Sequence, residues 1–146
     1  MNTSRTRAWA LSLTVGACLQ NPDAPGDVPA LDSALFAREV APVLERRCAS
    51  LACHGSERRR LRVYAIGSLR RDARRQHLVE PLTDDERAAN ETSARAFAAG
   101  VFAAHESLLV TKATARVYHQ GGAVFERTDD PECDALLRWL RSGGLP

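Results

Sequence analysis

Apolar positions recur at helical spacing near both ends of the chain, which predicts an all-α domain. Phe36, Val40, Val43 and Leu44 fall on one helical face. Asp32 or Ser33 can cap a helix that begins there. Pro42 lies inside the pattern and predicts a kink or a split, and the helix runs directly into Cys48. At the far end Cys133, Leu136, Leu137 and Leu140 form a second stripe, flanked by Trp139. Asp130 suits the cap of that helix, Pro131 its first turn, and Glu132 and Asp134 its positive end. Gly143-Gly144 stops it. Between these elements the pattern is weaker. Residues 61–66 alternate in part, as a strand or an extended loop would. Thr83-Asp-Asp-Glu86 has the spacing of a capping box and opens an Ala-rich helix expected to reach Phe97 or beyond, with Gly100 near its end. Leu108, Leu109 and Val110 follow within residues 106–113, and then a loop containing Gly121-Gly122.

The N-terminal residues carry a different signal. Arg5 and Arg7 precede a mostly apolar run at residues 8–17, too short to span a bilayer. The run ends in Val15-Gly16-Ala17-Cys18, which resembles the lipobox of bacterial lipoproteins. That resemblance implies a signal peptide at 1–17, its removal, and a diacylglyceryl group on Cys18, usually joined by N-acylation; several acyl chains anchor far more firmly than one. An ordinary secretory signal or a buried apolar strand is the plainer reading of the same residues. Residues 18–31 hold Pro22, Pro25, Gly26 and Pro29 with little periodicity and read as a flexible tether. A domain at 32–146 remains.

Charge narrows the partners. The formal charge is +2, and losing Arg5 and Arg7 brings it to zero. A neutral exported chain gives no footprint for nucleic acid. Lys112 is the only lysine, a reflection of base composition more than of chemistry. Glu57 through Arg75 nevertheless holds eight arginines and two acids. Solvated charge accounts for most such runs; pairing with acidic cofactor groups, or steering of an acidic partner, is the sharper expectation.

Cys48-Ala-Ser-Leu-Ala-Cys53-His54-Gly55 carries the chemistry. Two thiols followed at once by an imidazole is the arrangement that attaches haem c: the cysteines add across two vinyl groups and the adjoining His54 ligates iron. The commoner spacing has two residues between the cysteines, and here there are four. A zinc site would need a second Cys/His pair at finger-like spacing, which is missing. A plain disulfide between Cys48 and Cys53, followed by an incidental His, remains open. So does pairing of Cys133 with either one, giving a disulfide-stapled exported lipoprotein with a binding or structural role and no haem. Cys133 also fits as a buried thiol on the last helix. No paired-carboxylate, Ser–His–Asp or phosphate-loop pattern points to an enzyme.

Taken in series, Phe36, Val40-Ala-Pro42-Val43-Leu44, residues 48–55, Leu61-x-Val63, Glu106-Ser107-Leu108-Leu109-x-Thr-Lys112, His119-x-Gly121-Gly122 and Leu136-Leu137-x-Trp139-Leu140-x-Ser-Gly143 resemble the planctomycete-type cytochrome c domain found in exported proteins of planctomycetes and myxobacteria. Residues 65–100 are unmatched. The wide cysteine gap and the lack of a Met-Pro-Pro segment before the last helix depart from that pattern. The resemblance implies a small cytochrome c-like domain whose N- and C-terminal helices cross over one covalent haem c. It further implies one-electron transfer at the periplasmic face of a membrane, with a redox partner that the sequence leaves unnamed; Leu19 after Cys18 is not the Asp that marks inner-membrane retention of lipoproteins, which favours the outer membrane.

The second axial ligand is approached by elimination. Met1 is the only methionine and leaves with the signal, so a thioether ligand is ruled out for the processed chain. His77 follows the arginine run and His105 ends the Ala-rich region, so both suit the surface. His119 sits in a glycine loop just before the last helix, where backbone can pass close to a haem face. His119 is therefore the expected ligand opposite His54, with open or water-bound iron the alternative. A five-coordinate haem of that kind would allow weak peroxidase-like chemistry or the binding of a small gas. Tyr118 beside it is expected to pack on the ring.

Overall fold

The computed structural model describes residues 30–146. The expected signal peptide, the expected lipidation site Cys18 and all of the expected tether but its last two residues lie outside that range. The described residues are helical and form no strand. Helix α1 (Ser33–Leu35), a π-helical turn (Phe36–Val40) and α2 (Ala41–Arg47) follow one another without a break. Asp32 caps the start, its side chain accepting from the Leu35 N–H at 2.9 Å. Pro42 neither splits nor ends this helix. The π turn absorbs it: the Ala41 N–H donates to the Phe36 carbonyl across a widened loop, just before the residue that has no N–H to give. Phe36, Val40, Val43 and Leu44 all face the core.

Helix α3 (Asp84–Arg95) carries the reciprocal capping box between Thr83 and Glu86. It ends at Arg95, short of the expected Phe97, and Gly100 lies beyond it at φ +71°. A 3-10 turn at Ala104–Glu106 leads to α4 (Leu108–Ala113), capped by Ser107. Residues 61–65 are extended loop. The final helix is α5 (Pro131–Ser142), with Asp130 accepting from the Glu132 and Cys133 N–H groups.

The helix at 33–47 and α5 run antiparallel. The Asp32 N–H donates to Ser142 Oγ at 2.9 Å, Arg138 pairs with Glu39 at 2.8 Å, and Arg46 pairs with Glu132. Phe36 packs on Trp139 between them, ring centroids 5.1 Å apart and tilted by 55°. Trp139 does more than flank the stripe: it is wholly buried at the centre of this interface. Leu31, the last residue of the expected tether, is also buried in the core, and its carbonyl accepts from Arg95.

The arginine run divides. Arg70 is buried and forms a two-point pair with buried Glu86, while its remaining N–H groups donate to the carbonyls of Glu80 and Pro81. Arg74 pairs with Asp72 and Arg75 with Glu80. Burial pushes the Glu86 carboxyl up, but Arg70 and the N–H groups of Thr83 and Arg71 outweigh it and hold the group at about 2.

Candidate functional site

Helix α2 delivers the chain into the cysteine loop. The Cys48 N–H still donates to Leu44, completing the last turn. The four residues between the cysteines fold into a tight bulge: the Cys53 and Gly55 N–H groups donate to Ser50, and the His54 N–H returns to the Cys48 carbonyl at 3.0 Å. The longer loop is therefore folded back on itself, with His54 returned to the backbone of Cys48. Ala49 turns inward and Leu51 outward. Gly55 is required here, because a Cβ would collide with the Ala49 carbonyl and the Ser68 hydroxyl, which are bonded to one another.

Opposite this loop stands the segment after α4. Its backbone returns through Val117 N–H to Thr111, and the Val124 and Phe125 N–H groups both donate to Ala113. Lys112 Nζ donates to the Tyr118 carbonyl at 3.0 Å. Gly122, at φ +71°, closes a turn back to the His119 carbonyl.

The two elements present His54 and His119 to one another. Their ring centroids are 6.0 Å apart and their planes are within 10° of parallel. His54 Nδ1 bonds to the Leu61 carbonyl at 2.9 Å, and His119 Nδ1 to the Gly122 carbonyl at 2.7 Å. Each ring thus spends Nδ1 on a backbone carbonyl and keeps Nε2 available, as histidines that ligate a metal do. Burial lowers the His54 pKa; the Leu61 hydrogen bond opposes this, and the nearby charges of His119, Arg59 and Lys112 add to it. The neutral imidazole that results is the form that binds metal.

Around the pair lies a cleft with about 740 Å³ of empty space, its open mouth counted. Leu44, Phe97, Leu109, Phe125 and Leu136 make its apolar walls, and Cys48, Cys53, His54 and His119 all line it. Arg47 and Lys112 supply positive charge. Arg47 is fixed by the Val124 carbonyl, by Glu132 and by the face of Phe125. Cys48 is buried, and desolvation chiefly raises its thiol to about 11, so it stays protonated at neutral pH. Cys53 is exposed, and Cys48, Cys53 and Cys133 are free thiols. Cys133 sits in the core on α5, its thiol also raised to about 11, first by burial and then by Asp130 and Asp134.

Comparison with protein-family models, curated proteins and solved structures finds no match.

The two imidazoles stack with nearly parallel planes and centroids 6.0 Å apart, so both border the same part of the cleft. Two imidazoles are too few to hold a bare divalent ion, and among the described residues no group of three or more His, Cys, Asp or Glu gathers to hold one. They suit a metal whose other positions a macrocycle fills. The apolar walls, two cations and two thiols suit the macrocycle's body, acidic substituents and covalent tethers. His77 and His105 are exposed and do not line the cleft.

Sequence reasoning missed the parts that aim His54. The strip at 61–65 bonds His54 twice, through the Leu61 carbonyl and from Val63 N–H to the His54 carbonyl. Helix α3 braces its other edge: Ser93 accepts from Arg62 N–H, and buried Asn90 bonds both N–H and carbonyl of Tyr64. Buried Asn90 on an Ala-rich helix was the one visible signal. The acceptor carbonyls leave no trace in side-chain identity.

Proposed function

We propose that this chain is a monohaem c-type cytochrome that transfers single electrons. Cys48 and Cys53 would carry the haem covalently, and His54 and His119 would be its axial ligands. The carrying observation is the parallel histidine pair 6.0 Å apart, each ring tied to backbone through Nδ1. Haem iron supplies the one-electron ferric–ferrous couple. The residues of the chain orient the ligands, surround the site with apolar walls and place Arg47 and Lys112 beside it. Two imidazole ligands favour a potential below that of a His/Met cytochrome. The lipobox-like Cys18 extends the reading to a lipid-anchored protein at the periplasmic face of a bacterial membrane, where haem c attachment takes place. Its role is that of an electron carrier and not of an enzyme.

Production with a c-type maturation system tests the reading. A haem-stained band near the mature mass after denaturing electrophoresis, with a c-type pyridine haemochrome spectrum, is the expected result. Intact mass showing only apoprotein with an oxidised cysteine pair, while a control cytochrome matures, overturns it.

A further inference from the structure

We propose that the groove between residues 60–71 and the outer face of α3 binds a multiply charged, phosphate-bearing anion. Arg60, Arg62 and Arg71 all line this groove, on the side of the domain where α3 faces solvent. Their neighbours in the run, Arg70, Arg74 and Arg75, each meet a carboxylate. The three in the groove form no ion pair and no side-chain hydrogen bond with the described residues. Asp85 is the one acid among the lining residues, and it pairs with none of them. Arg70, Arg74 and Arg75 are thus neutralised, whereas Arg60, Arg62 and Arg71 line one groove without a carboxylate partner, as Arg58 and Arg59 lack one outside it.

Local structure restrains part of that set. The Arg71 guanidinium lies over the Tyr64 ring, 5.9 Å from its centroid, which restrains the side chain and leaves its N–H edge free. The main chain at Arg62 is tied to α3 through its N–H to Ser93 Oγ at 2.8 Å. The Tyr64 hydroxyl has no partner among the described residues and adds a neutral donor. Guanidinium forks match the oxygen geometry of phosphate, and three of them suit a group with several acceptor oxygens and more than one charge. The groove holds about 1230 Å³ of empty space, its broad mouth counted, which leaves room for more than a single phosphate. A soluble phosphoanhydride or phosphate ester and a lipid headgroup share this chemistry.

The test is calorimetric titration of the full domain with inorganic pyrophosphate, beside cosedimentation with phosphatidylglycerol and phosphatidylcholine vesicles. All three side chains are exposed, so their substitution leaves the core untouched. Saturable pyrophosphate binding is expected, weakened roughly tenfold by Arg62→Gln and by Arg71→Gln, the size of one lost charge-assisted hydrogen bond. Arg58→Gln removes equal charge from the same segment outside the groove and should leave affinity unchanged. Binding to phosphatidylglycerol vesicles alone, released by Arg62→Gln and Arg71→Gln, supports the site with lipid as the source. Absence of binding to either probe overturns the proposal. So does equal weakening by Arg58→Gln, which would reduce the effect to general charge attraction.

Discussion

The two facing imidazoles are held by unlike surroundings. His54 is half-buried and anchored through ring and backbone to the 61–65 strip, whereas His119 rides on a glycine turn among exposed neighbours. Loss of His54 removes the residue adjoining the proposed tethers Cys48 and Cys53, so the more informative substitution is His119→Ala. Since no methionine other than Met1 exists, no thioether can replace it. His119→Ala is expected to turn a low-spin haem protein into a high-spin one that takes up cyanide or carbon monoxide readily. His77→Ala and His105→Ala, both at exposed positions away from the cleft, should leave the Soret region unchanged. An unaltered low-spin spectrum in His119→Ala would assign the iron another ligand. Elimination singled out His119 in the sequence because it sits beside two glycines. That its ring faces His54 was not legible, since ring orientation depends on the Gly122 carbonyl and on the Lys112 bond to Tyr118.

Among the elements, α3 acts as the brace behind His54, and its own seat depends on the Arg70–Glu86 pair. Capping box and buried ion pair share one carboxylate: Glu86 accepts from Thr83 N–H, Arg71 N–H and Arg70. The capping box was readable as a local four-residue signature. The ion pair was not, because its partners stand sixteen positions apart across a mostly irregular segment. The folded carboxyl is held at about 2, below its unfolded value of about 4.3. Its contribution is therefore complete above about pH 4.3 and is lost as pH falls toward 2, a difference on the order of 3 kcal/mol. Urea midpoints measured from pH 6 down to pH 2 should fall through that window. Glu86→Gln should cost about 3–5 kcal/mol at neutral pH by leaving Arg70 buried and unpaired, and should flatten the acid limb. An acid limb as steep in Glu86→Gln as in the parent would place the titrating group elsewhere.

At the scale of the whole molecule, the cleft is a meeting point of segments far apart in the chain. Leu44 comes from α2, Phe97 from beyond α3, Leu109 from α4, Phe125 from the returning loop and Leu136 from α5. The helical stripes of 33–47 and 131–142 were legible because their period of 3.6 is local, and so was the all-α class. Their antiparallel pairing depends on Arg138 with Glu39 and on Asp32 with Ser142, and surface charges of this kind carry no sequence mark of their partners. Trp139 was placed at the edge of its stripe because Cys133, Leu136, Leu137 and Leu140 already define a narrow face. The buried face is wider, since α5 is covered by the π turn on one side and by Ala104 near the chain's end on another; the Ala104 N–H donates to the Pro146 carbonyl. A large apolar group seated in this cleft would join five separate segments, so its presence should be felt by the entire domain. Covering even about 100 Å² of apolar wall contributes about 2–3 kcal/mol, which for a domain of this size raises Tm by roughly 10 °C. The comparison uses one sequence made with and without c-type maturation, so no substitution intervenes. Circular dichroism melts should show the matured protein at least that much more stable, with both forms helical at low temperature. Equal midpoints would mean that the attached group sits outside the cleft, and the placement of His54 and His119 as its ligands would fall with it.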